Sequence, residues 1–204
     1  MAAPSIRFAR LTDAAGIRAI YAPYCESTCV SFETVAPNMD EMRERINRVA
    51  VQHPWLVCEV GGQIVGYVYA SQFRERAAYR WAVEVAIYVA TDYHGHGVGR
   101  ALYHTLFSIL RYQGYFKAFA GISLPNDASV GLHERMGFRP AAVFRGVGYK
   151  CERWIDVGWW QLELQEARSS PPDPRPFNEV RDCPDVAAIL TQSKALFASK
   201  ATPR

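Results

Sequence analysis

The stretch that decides the fold runs from Val83-Glu84-Val85-Ala86-Ile87-Tyr88-Val89 through Ala90-Thr91-Asp92-Tyr93 to His94-Gly95-His96-Gly97-Val98-Gly99. Its first half is rich in valine, isoleucine and tyrosine and belongs to a strand read from Trp81 to Ala90. Glycines at alternate positions come next. Beyond them Val98, Leu102, Leu106, Ile109 and Leu110 share one face of a helix that Gly114 ends. A strand, a glycine-rich turn and a helix in that order make an anion site. The first amides of a helix lack partners and carry partial positive charge. Glycines let the backbone approach a diphosphate without a Cβ in the way.

Three phosphate motifs compete for this turn. The dinucleotide fingerprint needs Gly-x-Gly-x-x-Gly, and the spacing here is Gly95-x-Gly97-x-Gly99. The P-loop needs a lysine followed by serine or threonine, and none is present. The remaining motif is the acetyl-CoA pyrophosphate loop, Gln/Arg-x-x-Gly-x-Gly/Ala, which His94 to Gly99 fits except at the first position. A plain turn before a helix is the competing reading of these residues alone. On the cofactor reading, His94, Gly95, His96, Gly97, Val98, Gly99 and Arg100 surround the diphosphate.

Toward the N-terminus, Ile6-Arg7-Phe8-Ala9 reads as a short strand. Thr12 caps a helix from Asp13, with Ile17, Ile20, Tyr21 and Tyr24 at helical spacing. Asn38 with Glu41 is a capping-box start for a charged helix, Met39 to Val49. Trp55 to Val60, Gly61-Gly62 and Gln63 to Ser71 form a hairpin. Phe116 to Ile122 is a strand, Asn126 to Met136 a short helix stopped by Gly137, and Phe138 to Gly148 and Trp154 to Leu164 the last strands. Strands and helices interleave early and two strands close the unit. That order predicts an α+β, or mixed α/β, sheet rather than a doubly wound one.

Ser169 to Pro176 holds four prolines in eight residues, which marks a boundary. Residues 1–167 are read as the domain. Residues 168–204 are read as a Pro-rich linker and an appendage, partly helical or disordered and dispensable. A weak apolar pattern in Val186, Ile189, Leu190 and Leu196 is its only structural signal, and docking of that stripe on the domain or on a second subunit is the alternative to dispensability.

Bulk properties exclude several classes. A chain of 204 residues fits one domain. A net charge of +3 is too weak to argue for nucleic acid, yet it suits a small anionic ligand. No run approaches the ~20 apolar residues of a membrane span, and Met1 to Arg10 does not read as a signal peptide. The five cysteines match no zinc spacing, so no metal is expected, and reduced thiols point to a cytoplasmic protein.

Further strings carry a family resemblance. Asn126-Asp127-Ala128-Ser129 and His133-Glu134-Arg135-Met136-Gly137-Phe138 resemble the Asn-x-x-Ser/Ala…Glu-x-x-Gly-Phe segment of the GCN5-related N-acetyltransferases. Ser31-Phe32-Glu33, Pro54-Trp55-Leu56-Val57, Gly66-Tyr67, Arg76-Ala77-Ala78-Tyr79-Arg80-Trp81, Val143 to Lys150 and Asp156 to Gln161 resemble the phosphinothricin acetyltransferase branch. The resemblance covers roughly Ser5 to Leu164 and leaves out the tail.

It implies a central mixed, mostly antiparallel sheet flanked by helices, acetyl-CoA as co-substrate, a small amine as acceptor and a homodimer. Glu84 is implied as general base and His133 as an acid or water-ordering group. Spacing alone leaves Glu84 equally readable as a solvent-facing strand residue, and His133 as a packed one. Ile87, Tyr88 and Val89 are implied as the strand that binds the pantetheine arm, with Asn126, Ser129 and Arg135 nearby. Asn126 reads equally as a helix cap. Phe32, Glu33, Arg74, Arg76, Tyr79, Arg80, Val85 and Ala86 are implied as the acceptor wall, and arginine suits the carboxylate of an amino acid. Solvated loop charge is the plain reading of each arginine. Trp154, Trp159 and Trp160 read as core or dimer contacts. Tyr93-His94 departs from the family's usual Gln-Arg and removes one fixed charge beside the diphosphate. Other amines, and an acyl-CoA-binding module without turnover, remain alternatives. Glu84 discriminates the last, since a binding module needs no carboxylate there.

Overall fold

The computed structural model describes residues 2–198. Among them seven strands form one sheet in the order β1-β2-β3-β4-β5-β7-β6. These are β1 (Ser5–Phe8), β2 (Trp55–Val60), β3 (Gln63–Gln72), β4 (Ala82–Val89), β5 (Lys117–Leu124), β6 (Arg139–Lys150) and β7 (Arg153–Glu163). The helices are α1 (Ala14–Glu26), α2 (Met39–Gln52), α3 (Val98–Gln113) and α4 (Asp127–Arg135), followed by short α5 (Phe177–Val180), α6 (Pro184–Gln192) and α7 (Ala195–Ala198). Adjacent strands are antiparallel except β4 and β5, which are parallel. The mixed α/β sheet is what the element order predicts, and its mostly antiparallel character with flanking helices is what the family resemblance implies.

Local chemistry accounts for most boundaries. Gly61 and Gly62 take φ of +58° and +83°, the turn that suits the twist of a two-residue hairpin. Asn38 Oδ1 accepts from the amides of Asp40 and Glu41, and Glu41 Oε2 accepts from the Asn38 amide at 2.7 Å. The start of α1 differs from expectation. Thr12 does not cap it; Leu11–Asp13 form one 3-10 turn instead. The Asp13 carboxylate turns back to the Arg10 amide and pairs with Arg7 at 2.7 Å, so the helix begins at Ala14.

The sheet has two covered faces. On the back, Val83 and Val85 of β4 join Leu102, Leu106, Ile109 and Leu110 of α3 in the larger core. On the front, Trp55, Val57 and Tyr67 pack under Ile17, Ile20 and Tyr21 of α1 and Met42 and Ile46 of α2. Strand alternation therefore sends Glu84, Ala86 and Tyr88 forward and Val83, Val85 and Ile87 back.

The sheet splits between β4 and β5. Their pairing ends at Glu84, opposite Phe119. Past that point β4 continues with β3 as far as Val89, and β5 continues with β7 as far as Leu124. A wedge opens between the two halves of the sheet. The Ala90 amide donates to Val65 on β3. Residues of alternate parity therefore turn their peptide groups the other way, and the N–H and C=O of Ile87 and Val89 face the wedge without a strand partner.

The tail is not a free appendage over its described length. Phe177, Val180 and Val186 are buried in the larger core, and the Phe177 ring meets Phe8 edge-on at 4.8 Å. Gln113 at the end of α3 exchanges hydrogen bonds with the Arg175 backbone, each 2.8 Å long. Ile189, Leu190 and Leu196 pack against the same core. The proline cluster is thus a strap that carries a second apolar patch back to the domain. The part of the tail beyond residue 198 lies outside the described residues.

Candidate active site

The glycine turn stands at the mouth of the wedge. Gly95 and Gly97 hold φ of +75° and +84°, which an L side chain rarely adopts. Gly97 leads directly into the first turn of α3, and no side chain caps that helix start. Gly99 has a packing role: a Cβ there would lie 3.1 Å from Leu132 of α4 and 3.6 Å from Ile87. It lets α3, α4 and β4 converge behind the loop. Left-handed glycines, an open helix N-terminus and an unpaired strand edge fit a long ligand that carries a diphosphate at one end and amides along its arm.

The His94 ring turns back onto the end of β4. Its Nε2 lies 2.9 Å from the Val89 carbonyl and 3.2 Å from the Tyr24 hydroxyl, which itself donates to Val89 O at 2.9 Å. Two side chains thus close over a wedge-facing carbonyl. His96 Nδ1 lies 2.9 Å from the His94 carbonyl, inside the same turn. Val98 is a core residue, and Arg100 Nη2 donates to the Leu196 carbonyl of the tail at 3.1 Å.

On the far wall of the wedge, Asn126 caps α4 by accepting the Ser129 amide at 3.2 Å. His133 is only 3% exposed. Its Nε2 meets the Tyr103 hydroxyl at 2.7 Å and its Nδ1 meets the Ser129 carbonyl at 2.8 Å. A carbonyl only accepts, so Nδ1 carries the proton and Nε2 accepts from the tyrosine. Burial pushes its pKa down, against the Ser129 bond, and both ring nitrogens are engaged. The structure therefore does not bring His133 to Glu84. Arg135 is exposed at the end of α4.

Glu84 sits on the front face where the strands part. Burial raises its pKa, and the nearby Arg74 charge opposes that shift. The Arg74 guanidinium lies over Phe73 at 4.4 Å and near Trp159 at 5.5 Å, and the Phe73 ring stacks on Phe119 at 4.2 Å. Beside this cluster, between α2 and the sheet, lies a cavity of about 850 Å³. Ser71 on its wall faces Glu84 across the β3–β4 ladder. Tyr69 on the same wall has its pKa pushed up to about 12 by burial and by the Glu84 charge.

The cavity gathers residues from distant segments. Glu33 accepts from both Arg45 nitrogens, at 2.7 and 3.0 Å, and from the Tyr21 hydroxyl at 3.0 Å. Burial works against the Glu33 carboxylate, but these bonds win and hold its pKa below the usual range. Arg48 and Arg80 also line the cavity, so three arginines stand against one glutamate. His53, 7% exposed, has a pKa lowered to about 4 by burial and stacks on Tyr115.

The other expected wall residues are dispersed. Phe32 lies on Gly148 of β6, where any side chain would overlap its ring. Lys150 holds that loop by donating to Ser31 O at 2.7 Å and Glu33 O at 2.8 Å. Arg76 precedes an exposed 3-10 turn, Ala77–Tyr79, and Tyr79 borders a separate apolar groove with Trp81, Phe119 and Pro171. Val85 points into the α3 core, so its side chain is no part of the front wall, whereas Ala86 faces forward. Sequence reasoning missed Tyr21, Arg45, Arg48, His53 and Tyr69. The one available signal was the cationic face of α2.

A catalyst that joins a long carrier to a small charged acceptor needs two compartments meeting at a proton-accepting group. The wedge and the arginine-lined cavity lie to either side of the Glu84–Ser71 pair of the β3–β4 ladder. The family model described as "Acetyltransferase (GNAT) domain" matches residues 6–159, and the chain belongs to that family. It is 37% identical over 175 residues to a phosphinothricin N-acetyltransferase of Streptomyces viridochromogenes, covering 86% of this chain and 93% of the relative. It is 34% identical to an L-methionine sulfoximine/L-methionine sulfone acetyltransferase of Pseudomonas aeruginosa, covering 82% and 98%. The crystal structure of a phosphinothricin acetyltransferase from Sinorhizobium meliloti, in complex with acetyl-CoA, superposes with a TM-score of 0.80 at 29% identity, covering 87% of this chain and 97% of that one.

Proposed function

We propose that this chain acetylates the amino group of a small, anionic, amino-acid-like substrate of the phosphinothricin or methionine sulfoximine type, with Glu84 as general base. The observation that carries the reading is the place of Glu84: half-buried, with a raised pKa, where the wedge opens and opposite Ser71 on the wall of the arginine-lined cavity. The chain is an acetyl-CoA-dependent N-acetyltransferase, and acetyl-CoA supplies the acetyl group as a thioester.

The roles of the chain's own residues derive from their places. Glu84 accepts the proton that an ammonium must lose before its nitrogen has a lone pair, through a water where the two do not touch. Its raised pKa brings it nearer to the working pH of a base. The wedge-facing N–H groups of Ile87 and Val89 bind the arm and stabilise charge that develops on a carbonyl oxygen. The first amides of α3, with Gly95 and Gly97, hold the phosphates. Arg48, Arg74 and Arg80 attract the acceptor's carboxylate. His133 is assigned to packing and keeps α4 against α3. The proposal includes a cytoplasmic homodimer, because Val143, Phe144, Val147, Tyr149 and Trp154 leave an exposed apolar ridge on β6 and β7. No helix among the described residues is long and apolar enough to cross a membrane.

The test is thiol release from acetyl-CoA in the presence of a panel of amines. Amino acids and their phosphinic and sulfoximine analogues are expected to give turnover, and aryl amines much less. Release with aryl or alkyl amines alone would contradict the assigned acceptor class.

A further inference from the structure

One part of the cavity wall is held from outside the family match. That match ends at residue 159, and Pro172 and Asp173 lie beyond it. Both touch the segment between β3 and β4. Arg80 Nη1 lies 2.9 and 2.8 Å from the two carboxylate oxygens of Asp173, and Arg80 Nε donates to Ala77 O at 2.8 Å. Trp81 Nε1 donates to Pro172 O at 2.8 Å, and the Arg80 guanidinium lies 5.2 Å from the Trp81 ring centroid.

The strap on which Asp173 rides is itself anchored. Two residues on, the Arg175 backbone exchanges hydrogen bonds with Gln113, and Phe177 enters the core. The segment it holds is lightly built. Ala77–Tyr79 is a single exposed 3-10 turn, closed by Tyr79 N to Arg76 O and Arg80 N to Ala77 O. Such a turn opens at low cost, and a free arginine samples many rotamers. Held in one place, Arg80 presents its charge to the cavity without being ordered on each binding event.

We infer that Asp173 is a positioning residue for the acetyl acceptor: it fixes Arg80 at the cavity rim, so the Pro-rich strap sets affinity for the amine. The inference rests on the reading of this cavity as the acceptor site. Both side chains are well exposed, 42% for Arg80 and 66% for Asp173, so the pair adds little to stability and its effect belongs in KM.

The experiment compares wild type with Asp173→Asn, Asp173→Glu and, as a control, Asp182→Asn, whose carboxylate meets Arg181 beside it. Asp173→Asn is expected to raise the amine KM about threefold to fivefold, with kcat, acetyl-CoA KM and melting temperature held. Asp173→Glu recovers most of the loss, and the control changes nothing. Hydrogen exchange at the Tyr79 and Arg80 amides speeds up in Asp173→Asn. An unchanged amine KM, or equal rises in both KM values, overturns the inference. If wild type turns over no amine, the acceptor-site reading fails on its own account. Exchange then decides about the strap: unchanged protection at Tyr79 and Arg80 overturns the inference.

Discussion

The two compartments that meet at Glu84 are built from different material. The wedge and its glycine turn are made of backbone: left-handed glycines, the open end of α3 and a strand edge that lost its neighbour at Glu84. The cavity is made of side chains: Glu33, Arg45, Arg48, Tyr69 and Arg80 from four separate segments. A backbone site tolerates no change of main-chain shape and is indifferent to many side chains. A side-chain site can be retuned one residue at a time. The first suits an invariant carrier and the second a variable acceptor.

If the carrier site is backbone, Gly97→Glu is the most damaging single change. The substitution forces a side chain into φ +84° and sets a carboxylate at the proposed phosphate site. Calorimetry is expected to show no acetyl-CoA binding even at millimolar ligand, with the fold retained. Retained affinity would mean that the phosphates bind elsewhere.

Next in size is removal of the strap and tail by ending the chain at Ala167. Phe177, Val180 and Val186 each leave the core, at about 1.5–3 kcal/mol apiece. Their sum, on the order of 5 kcal/mol, corresponds to a drop of roughly 10–20 °C in Tm by the size scaling for such chains. A Tm within a few degrees of wild type, measured by calorimetry, would restore the reading of the tail as dispensable.

A smaller effect belongs to one arginine of the side-chain compartment. Arg48→Ala is expected to raise the amine KM about tenfold, the scale of one charge-assisted contact, and to leave acetyl-CoA KM unchanged. A change in acetyl-CoA KM instead would erase the division between the compartments. Steady-state kinetics with each substrate varied separately makes the distinction.

The same division explains what was legible in the sequence. Glycines at alternate positions after a strand are a local signal, and Gly95 and Gly97 do take the backbone shapes that only glycine adopts freely. Asn38 with Glu41, and Gly61-Gly62, are equally local and fold as expected. Gly99 was legible as a glycine but not in its purpose, because its partners Leu132 and Ile87 come from other elements. Arg45 and Arg48 read as solvated charge on a polar helix, since nothing within α2 says which sheet residues face it. Val85 shows the converse: strand parity fixes opposite faces for Glu84 and Val85, but only packing tells which face is the core. The tail was legible only in part, with docking of its apolar stripe left open beside the reading as dispensable. Four prolines end a helix or strand and carry no information about the packing of residues beyond them, while Phe177 and Val186 are too far apart in sequence to show a periodic face.

The role of Glu84 is decided by kcat for Glu84→Gln across pH, with acetyl-CoA affinity measured in parallel. Burial raises the Glu84 pKa, so wild type loses its base form as pH falls through that raised value, earlier than an ordinary carboxylate would. Wild-type kcat therefore carries an acid limb that the glutamine variant lacks. At neutral pH the variant is expected to be slower by about 10²-fold or more. The gap should narrow at high pH, where free amine forms without help, while acetyl-CoA affinity stays as in wild type. A variant with wild-type kcat and the same acid limb would contradict the place given to Glu84 between the two compartments.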